Sequence, residues 1–137
     1  MRTTWIAALT LSGCTAARWY LDRGGRGDST YAKGRIKLKT LWNEGAAFGL
    51  PIKRGPLLAV SAALLTFLWI RRREHPVSSG LILGGGLSNL LERLRHGRVY
   101  DYIQFPRAPG GLKRYVYNLA DLAILLGGIG LLFQKKP

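Results

Sequence analysis

Two aspartates stand beside apolar runs in a chain that is otherwise poor in acid: Asp101 in Val99-Tyr100-Asp101-Tyr102-Ile103 and Asp121 in Tyr117-Asn118-Leu119-Ala120-Asp121. The 137 residues hold 7 Asp and Glu against 21 Lys and Arg, and five of the acids lie in short motifs next to apolar stretches. A carboxylate at the mouth of an apolar segment is costly, because leaving water either costs several kcal/mol or raises its pKa. Ionisable groups at membrane depth are therefore functional candidates. Two carboxylates a few ångströms apart cannot both ionise comfortably, so they share a proton. One can then act as base on a water while the other protonates a scissile carbonyl, with no metal and no covalent intermediate.

Polar partners at suitable spacing support the pair. Asn89 and Arg93 are four apart and share a helix face, and Asn118 and Asp121 are three apart at a helix start. With Asn43, these residues are candidates to hold a substrate backbone or to orient the carboxylates. Other chemistries find less support. Neither His75 nor His96 has a metal-ligand partner at suitable spacing, and no Ser sits in a nucleophile-elbow context. The single cysteine, Cys14, excludes an intramolecular disulfide and a Cys-cluster metal site. For either Asp alone, a capping or dipole-stabilising role at a helix start is the favoured reading. The two together, with polar residues at helical spacing, favour catalysis.

The elements that must position these residues are apolar blocks at 3–21, 55–70, 77–94 and 116–133. Each approaches the roughly 20 residues that cross a hydrocarbon core as a helix. Four in succession between charged loops predict a polytopic membrane protein, with one domain over 1–137. Pro56 suits the first turn of the second block, where its missing N–H is harmless. Gly84-Gly85-Gly86 in the third block predicts close helix–helix contact. Residues 35–41, Arg-Ile-Lys-Leu-Lys-Thr-Leu, alternate with period two and predict a short strand with one apolar and one basic face.

A net charge of +14 invites a nucleic-acid reading. The basic residues lie in loops and at block ends, as Arg71-Arg72-Arg73 and Lys135-Lys136 show, rather than on one face with interleaved aromatics. Attraction to anionic membrane lipids explains that placement, and no nucleic-acid partner is expected. Leu11-Ser12-Gly13-Cys14 matches a lipobox, but apolar character continues past Cys14 to Leu21, where a cleaved leader would give way to a polar start. A thiol within a membrane helix is the simpler reading.

The motifs together resemble the lipoprotein signal peptidase (signal peptidase II) family of bacterial membrane aspartic peptidases. Asn43-Glu44-Gly45-Ala46-Ala47-Phe48-Gly49 is similar to the family's Asn-x-Gly-Ala-Ala-Phe-Gly, and 84–93 resembles the Gly-rich stretch ending Asn-Leu-x-Asp-Arg. Val99-Tyr100-Asp101-Tyr102-Ile103 resembles Val-Val-Asp-Phe-Ile, and Tyr117-Asn118-Leu119-Ala120-Asp121 resembles Phe-Asn-x-Ala-Asp. The resemblance runs over about 22–124. It implies a membrane all-α fold of four transmembrane helices, with a small extracytoplasmic β-cradle and loop supplied by 35–41 and the segment before Tyr115. It implies Asp101 and Asp121 as the catalytic dyad, with Asp22, Arg26, Asn43, Gly45, Asn89, Arg93 and Asn118 binding substrate. The implied substrate is a prolipoprotein signal peptide ahead of a diacylglyceryl-Cys, cleaved on the N-terminal side of that Cys. The enzyme would be a monomer without cofactor or metal, multi-pass in the bacterial cytoplasmic membrane, its site near the extracytoplasmic face.

Three positions depart from the family pattern. Asp-x-x-Thr/Ser-Lys becomes Asp22-Arg23-Gly24-Gly25-Arg26, which keeps a cation but loses the hydroxyl; Ser88 replaces the usual Gly, and Glu92 the usual Asp. The altered 22–26 segment motivates an alternative, a non-catalytic paralogue that binds lipidated signal peptides. A proton-coupled transporter also uses buried Asp, but no inverted repeat is evident. Topology carries a conflict. With the N-terminus inside, the cytoplasmic parts hold Arg2, Arg71, Arg72, Arg73, Lys135 and Lys136, leaving fifteen basic residues outside, against the positive-inside rule.

Overall fold

The computed structural model describes residues 1–24, 29–46 and 50–134. Among them are helices α1 (Arg2–Arg23), α2 (Arg54–Arg71), α3 (Pro76–His96) and α4 (Leu119–Phe133), and strands β1 (Thr30–Tyr31), β2 (Ile36–Asn43), β3 (Val99–Gln104) and β4 (Val116–Tyr117). The strands form one antiparallel sheet in the order β1-β2-β3-β4. Chain order and sheet order coincide, yet α2 and α3 intervene between β2 and β3, so the sheet gathers segments from both halves of the chain.

Helix α3 is the hub, and its glycine triplet explains how. Successive helical residues point about 100° apart, so three adjacent glycines open three directions. A Cβ at Gly84 would lie 2.6 Å from Ala7 O on α1, one at Gly85 2.7 Å from Ala120 O on α4, and one at Gly86 2.6 Å from Leu65 Cδ2 on α2. Gly80 extends the α1 contact toward Ile6, and Gly127 of α4 returns it toward Ser78 O and Ile82 of α3. Small residues thus bring the helix backbones close enough for dispersion and polar contacts between them.

Boundaries follow local chemistry. Pro76 opens α3, and Gly97 closes it at φ 72°, a left-handed position that glycine adopts without strain. The fourth apolar block divides: its first residues pair with β3 as β4, and only from Leu119 does it wind into a helix. Strand β2 forms where alternation predicts, but its burial does not alternate. Residues 36–39 are all half-buried, and the register against β3 shifts between Leu38 and Leu41.

Helix α2 is the one described helix long and apolar enough to cross a membrane, with mean hydropathy 1.2 and only 6% of its residues buried within the molecule. Its exposed Val60, Leu64 and Phe67 lack protein neighbours to cover them. Helix α4 is more apolar still but has 15 residues. Arg2, Arg18 and Arg23 on α1, and Glu92, Arg93 and Arg95 on α3, give those helices a more polar composition.

Candidate active site

Asn118 is where the two aspartates meet. As the N-cap of α4 it has extended backbone, and its Oδ1 accepts a hydrogen bond from the Asp121 N–H at 2.9 Å. Asp121 returns the bond, its Oδ2 accepting from the Asn118 N–H at 2.9 Å. This is a capping box with Asp in place of the commoner Glu, so the capping reading of Asp121 is correct as far as it goes. It does not exhaust the site. The Asn118 Nδ2 donates to Asp101 Oδ1 at 2.9 Å and to Asn89 Oδ1 at 3.0 Å. Asn89 Nδ2 in turn donates to Asp121 Oδ1 at 3.2 Å. Two asparagines from different helices therefore tie a strand carboxylate to a helix carboxylate.

Asp101 reaches this network from β3, opposite Leu41 of β2, and is only 4% exposed. Burial pushes its carboxyl pKa up to about 7, the Asp121 charge adds to the rise, and the amides of Asn43 and Asn118 and the Arg93 charge oppose it. A carboxyl titrating near neutral pH beside a second carboxylate can hold the one proton that acid–base hydrolysis requires. Next to it, Tyr102 is buried, and its hydroxyl accepts the Leu119 N–H at 3.0 Å. Burial lifts that phenol to about 12, so it stays neutral and anchors the start of α4 against β3.

The loop after β2 forms the site's rim. Asn43 Oδ1 accepts from the Gly45 N–H at 2.9 Å and its Nδ2 donates to Ala46 O at 3.3 Å, an Asx-type turn. A Cβ on Gly45 would fall 2.6 Å from Leu50 O, so only glycine fits there. Arg93 Nη2 donates to Gly45 O at 3.0 Å, while its buried Nε has no hydrogen-bond partner among the described residues.

The structure thus brings together Asp101, Asp121, Asn43, Gly45, Asn89, Arg93 and Asn118. Asp22 is apart from them: it is exposed in the last turn of α1, with no hydrogen bond to the cluster among the described residues. Arg26, like Ala47, Phe48 and Gly49 of the second motif, lies outside the described residues. Sequence reasoning gave no role to Arg18, Glu92 and Tyr102. For Glu92 a signal existed, since an interfacial helix end accounts for Arg93 but not for the acid beside it. Arg18 and Tyr102 carry no such mark.

Comparison with known proteins points to a family. The family model described as signal peptidase (SPase) II matches residues 6–135. The lipoprotein signal peptidase of Methylobacterium radiotolerans is 37% identical over 105 residues, covering 69% of this chain and 60% of that protein. That of Chlorobaculum parvum is 40% identical over 112 residues, covering 72% and 70%. The chain therefore spans about 60% of the length of the Methylobacterium relative. Among solved structures, a bacterial membrane enzyme determined in meso at 2.3 Å superposes with a TM-score of 0.83 over 95% of this chain and 84% of that one. At 18% identity that likeness speaks for the fold alone.

Proposed function

Because the chain belongs to the signal peptidase II family, we propose that it is a membrane aspartic endopeptidase that removes signal peptides from diacylglyceryl-modified prolipoproteins, cleaving on the N-terminal side of the lipidated Cys. The observation that carries this reading is Asn118 bonded at once to Asp101 and Asp121. In the proposed cycle the ionised carboxylate takes a proton from water as the oxygen attacks the scissile carbonyl carbon. The protonated carboxyl gives its proton to the carbonyl oxygen, leaving a neutral tetrahedral diol. On collapse the C–N bond breaks, the leaving nitrogen takes the dyad's proton and one diol hydroxyl gives its proton to the dyad, which again holds one.

Binding roles follow from the groups around the dyad. Arg93 and the Gly45 rim, joined by the bond from Arg93 Nη2 to Gly45 O, would receive the peptide backbone, with Asn43, Asn89 and Asn118 holding the carboxylates still. Asp22 would contact substrate only from the last turn of α1, and Arg26 from beyond that helix in the chain. We further propose that all four helices span the bacterial cytoplasmic membrane, with the sheet at the extracytoplasmic surface. The apolar outer surface of α2 and α4, with Leu64, Phe67, Leu125 and Leu126 each about 60% exposed, supports this.

The test is cleavage of a diacylglyceryl-modified prolipoprotein by the purified chain in lipid micelles, beside Asp101→Asn and Asp121→Asn. The parent is expected to shift the substrate's size and each variant to lose at least about 10³-fold in rate. A folded parent that binds the precursor without cutting it would instead establish the non-catalytic binder.

A further inference from the structure

Next to the Asn89–Asn118 network a small polar pocket opens between α1, α3, β3 and the start of α4, lined among others by Arg18, Ser88, Glu92 and Tyr100. Glu92 ties its walls together. One carboxylate oxygen, Oε2, accepts the backbone N–H of Tyr100 at 3.0 Å, and the other, Oε1, lies 2.6 Å from Arg18 Nε. Arg18 also reaches along the helix to His96, with Nη2 3.3 Å from Nε2. The side chains of Arg18 and Glu92 are 24% and 13% exposed. Tyr100 immediately precedes Asp101.

We propose that Glu92 and its counterion Arg18 are positioning residues that hold β3, and through Tyr100 the Asp101 carboxyl, in register with the dyad. Three observations converge. The acceptor falls on the peptide one residue before Asp101, so a change in its length or angle moves the Asp101 Cα directly. The three groups come from α1, α3 and β3, so the pair fixes how the strand sits on the helices rather than stiffening one element. Finally, a half-buried ion pair contributes little net stability, because desolvation offsets its attraction, whereas losing one partner strands the other. Such a pair is better explained by geometry than by fold strength. Glu92 stands where related motifs carry Asp, and the extra methylene lets α3 reach a strand peptide while still meeting an arginine from α1.

This inference rests on the peptidase reading, and its test separates the two. Parent, Glu92→Ala, Glu92→Gln, Arg18→Ala and the double Ala variant are assayed in micelles against the diacylglyceryl-modified precursor, with rates normalised to folded protein. Glu92→Ala is expected to lower kcat on the order of 10²-fold with KM little changed, since an ångström of misplacement costs about that much. Glu92→Gln keeps an acceptor for Tyr100 and loses less than Glu92→Ala. Arg18→Ala added to Glu92→Ala makes no further difference, because the two act as one unit. The pH midpoint of kcat also moves toward the ordinary carboxylate range as water reaches Asp101. Parental kcat and midpoint in folded Glu92→Ala, with only yield reduced, would overturn the proposal. If the parent does not cleave, the peptidase reading falls and amide exchange decides: a Tyr100 N–H as protected in Glu92→Ala as in the parent then overturns positioning as well.

Discussion

At the scale of single residues, the Asp101 carboxyl makes the sharpest prediction because its environment fixes a sign. Its pKa in the folded chain is about 7, against an ordinary 3.8, chiefly because β3 and α4 remove it from water. Between those values the folded protein holds a proton that the unfolded chain has released. Stability is therefore greatest at acid pH and declines as pH rises from about 4 through 7, by an amount on the order of a few kcal/mol. The thermal midpoint in micelles should rise on acidification from about pH 7.5 to 5, and that rise should shrink in Asp101→Asn. An equal rise in parent and variant would mean that Asp101 is not the group responsible. Activity carries the complementary signature. A dyad that needs one shared proton loses it as Asp101 ionises, so kcat should fall on the alkaline side of about pH 7. At this scale the sequence was informative: scarce acids beside apolar runs, with amides at helical spacing, singled out Asp101, Asn89, Asn118 and Asp121. It was silent about Arg18 and Tyr102, whose roles exist only where α1 and β3 meet α3 and α4.

At the scale of elements, the helices are held at separations that only glycine permits, and the site depends on one of those separations. Gly85 packs against Ala120 O, one residue before Asp121 and one helical turn from Asn89. An alanine there would need 2.7 Å of space that the α4 backbone occupies, so α4 must move away and the Asn89–Asp121 bond of 3.2 Å must lengthen. Gly85→Ala is expected to lower turnover at least about tenfold and to lower the thermal midpoint, despite alanine's better intrinsic helix propensity of about 1 kcal/mol. Gly128→Ala is the control, since a Cβ at Gly128 meets nothing within 4 Å and should leave both readouts near parental. Comparable losses at both positions would show that general glycine content, not the α3–α4 contact, is at stake. The glycine triplet was recognisable in the sequence as a contact surface, but not its division among three partners, which depends on how helices distant in sequence are arranged. Likewise the alternation at 35–41 located β2, whereas β1 and β4, two residues each, carry too little pattern to be read without their partners.

At the scale of the whole molecule, charge and chemistry make opposite demands on orientation. The proposed function needs the sheet and dyad outside, which leaves Lys33, Arg35, Lys37, Lys39, Arg107, Lys113 and Arg114 on the outer face with no acidic residue within 29–43 or 102–120. The rule relating basic loops to the cytoplasmic side would place that face inside. What opposes it is the short connection between α2 and α3. There Arg71 pairs with Glu74 through two hydrogen bonds, and Arg72 stacks at 3.9 Å over Trp69 while donating to its carbonyl. These contacts fix two of the three arginines at the helix end, and acidic neighbours weigh little in the rule, so the run would keep its force as a cytoplasmic anchor on the proposed topology. On that proposed topology the helical hairpin α2–α3 is inserted with its turn inside, and the basic sheet follows the other ends outward. In a Cys14→Ser background, single cysteines at Thr30 and Lys113 should react with a membrane-impermeant maleimide in intact spheroplasts, and one at Arg73 only after lysis. The reverse pattern would put the dyad on the cytoplasmic side, where precursors already exported cannot reach it, and the proposed peptidase function would fall with the topology.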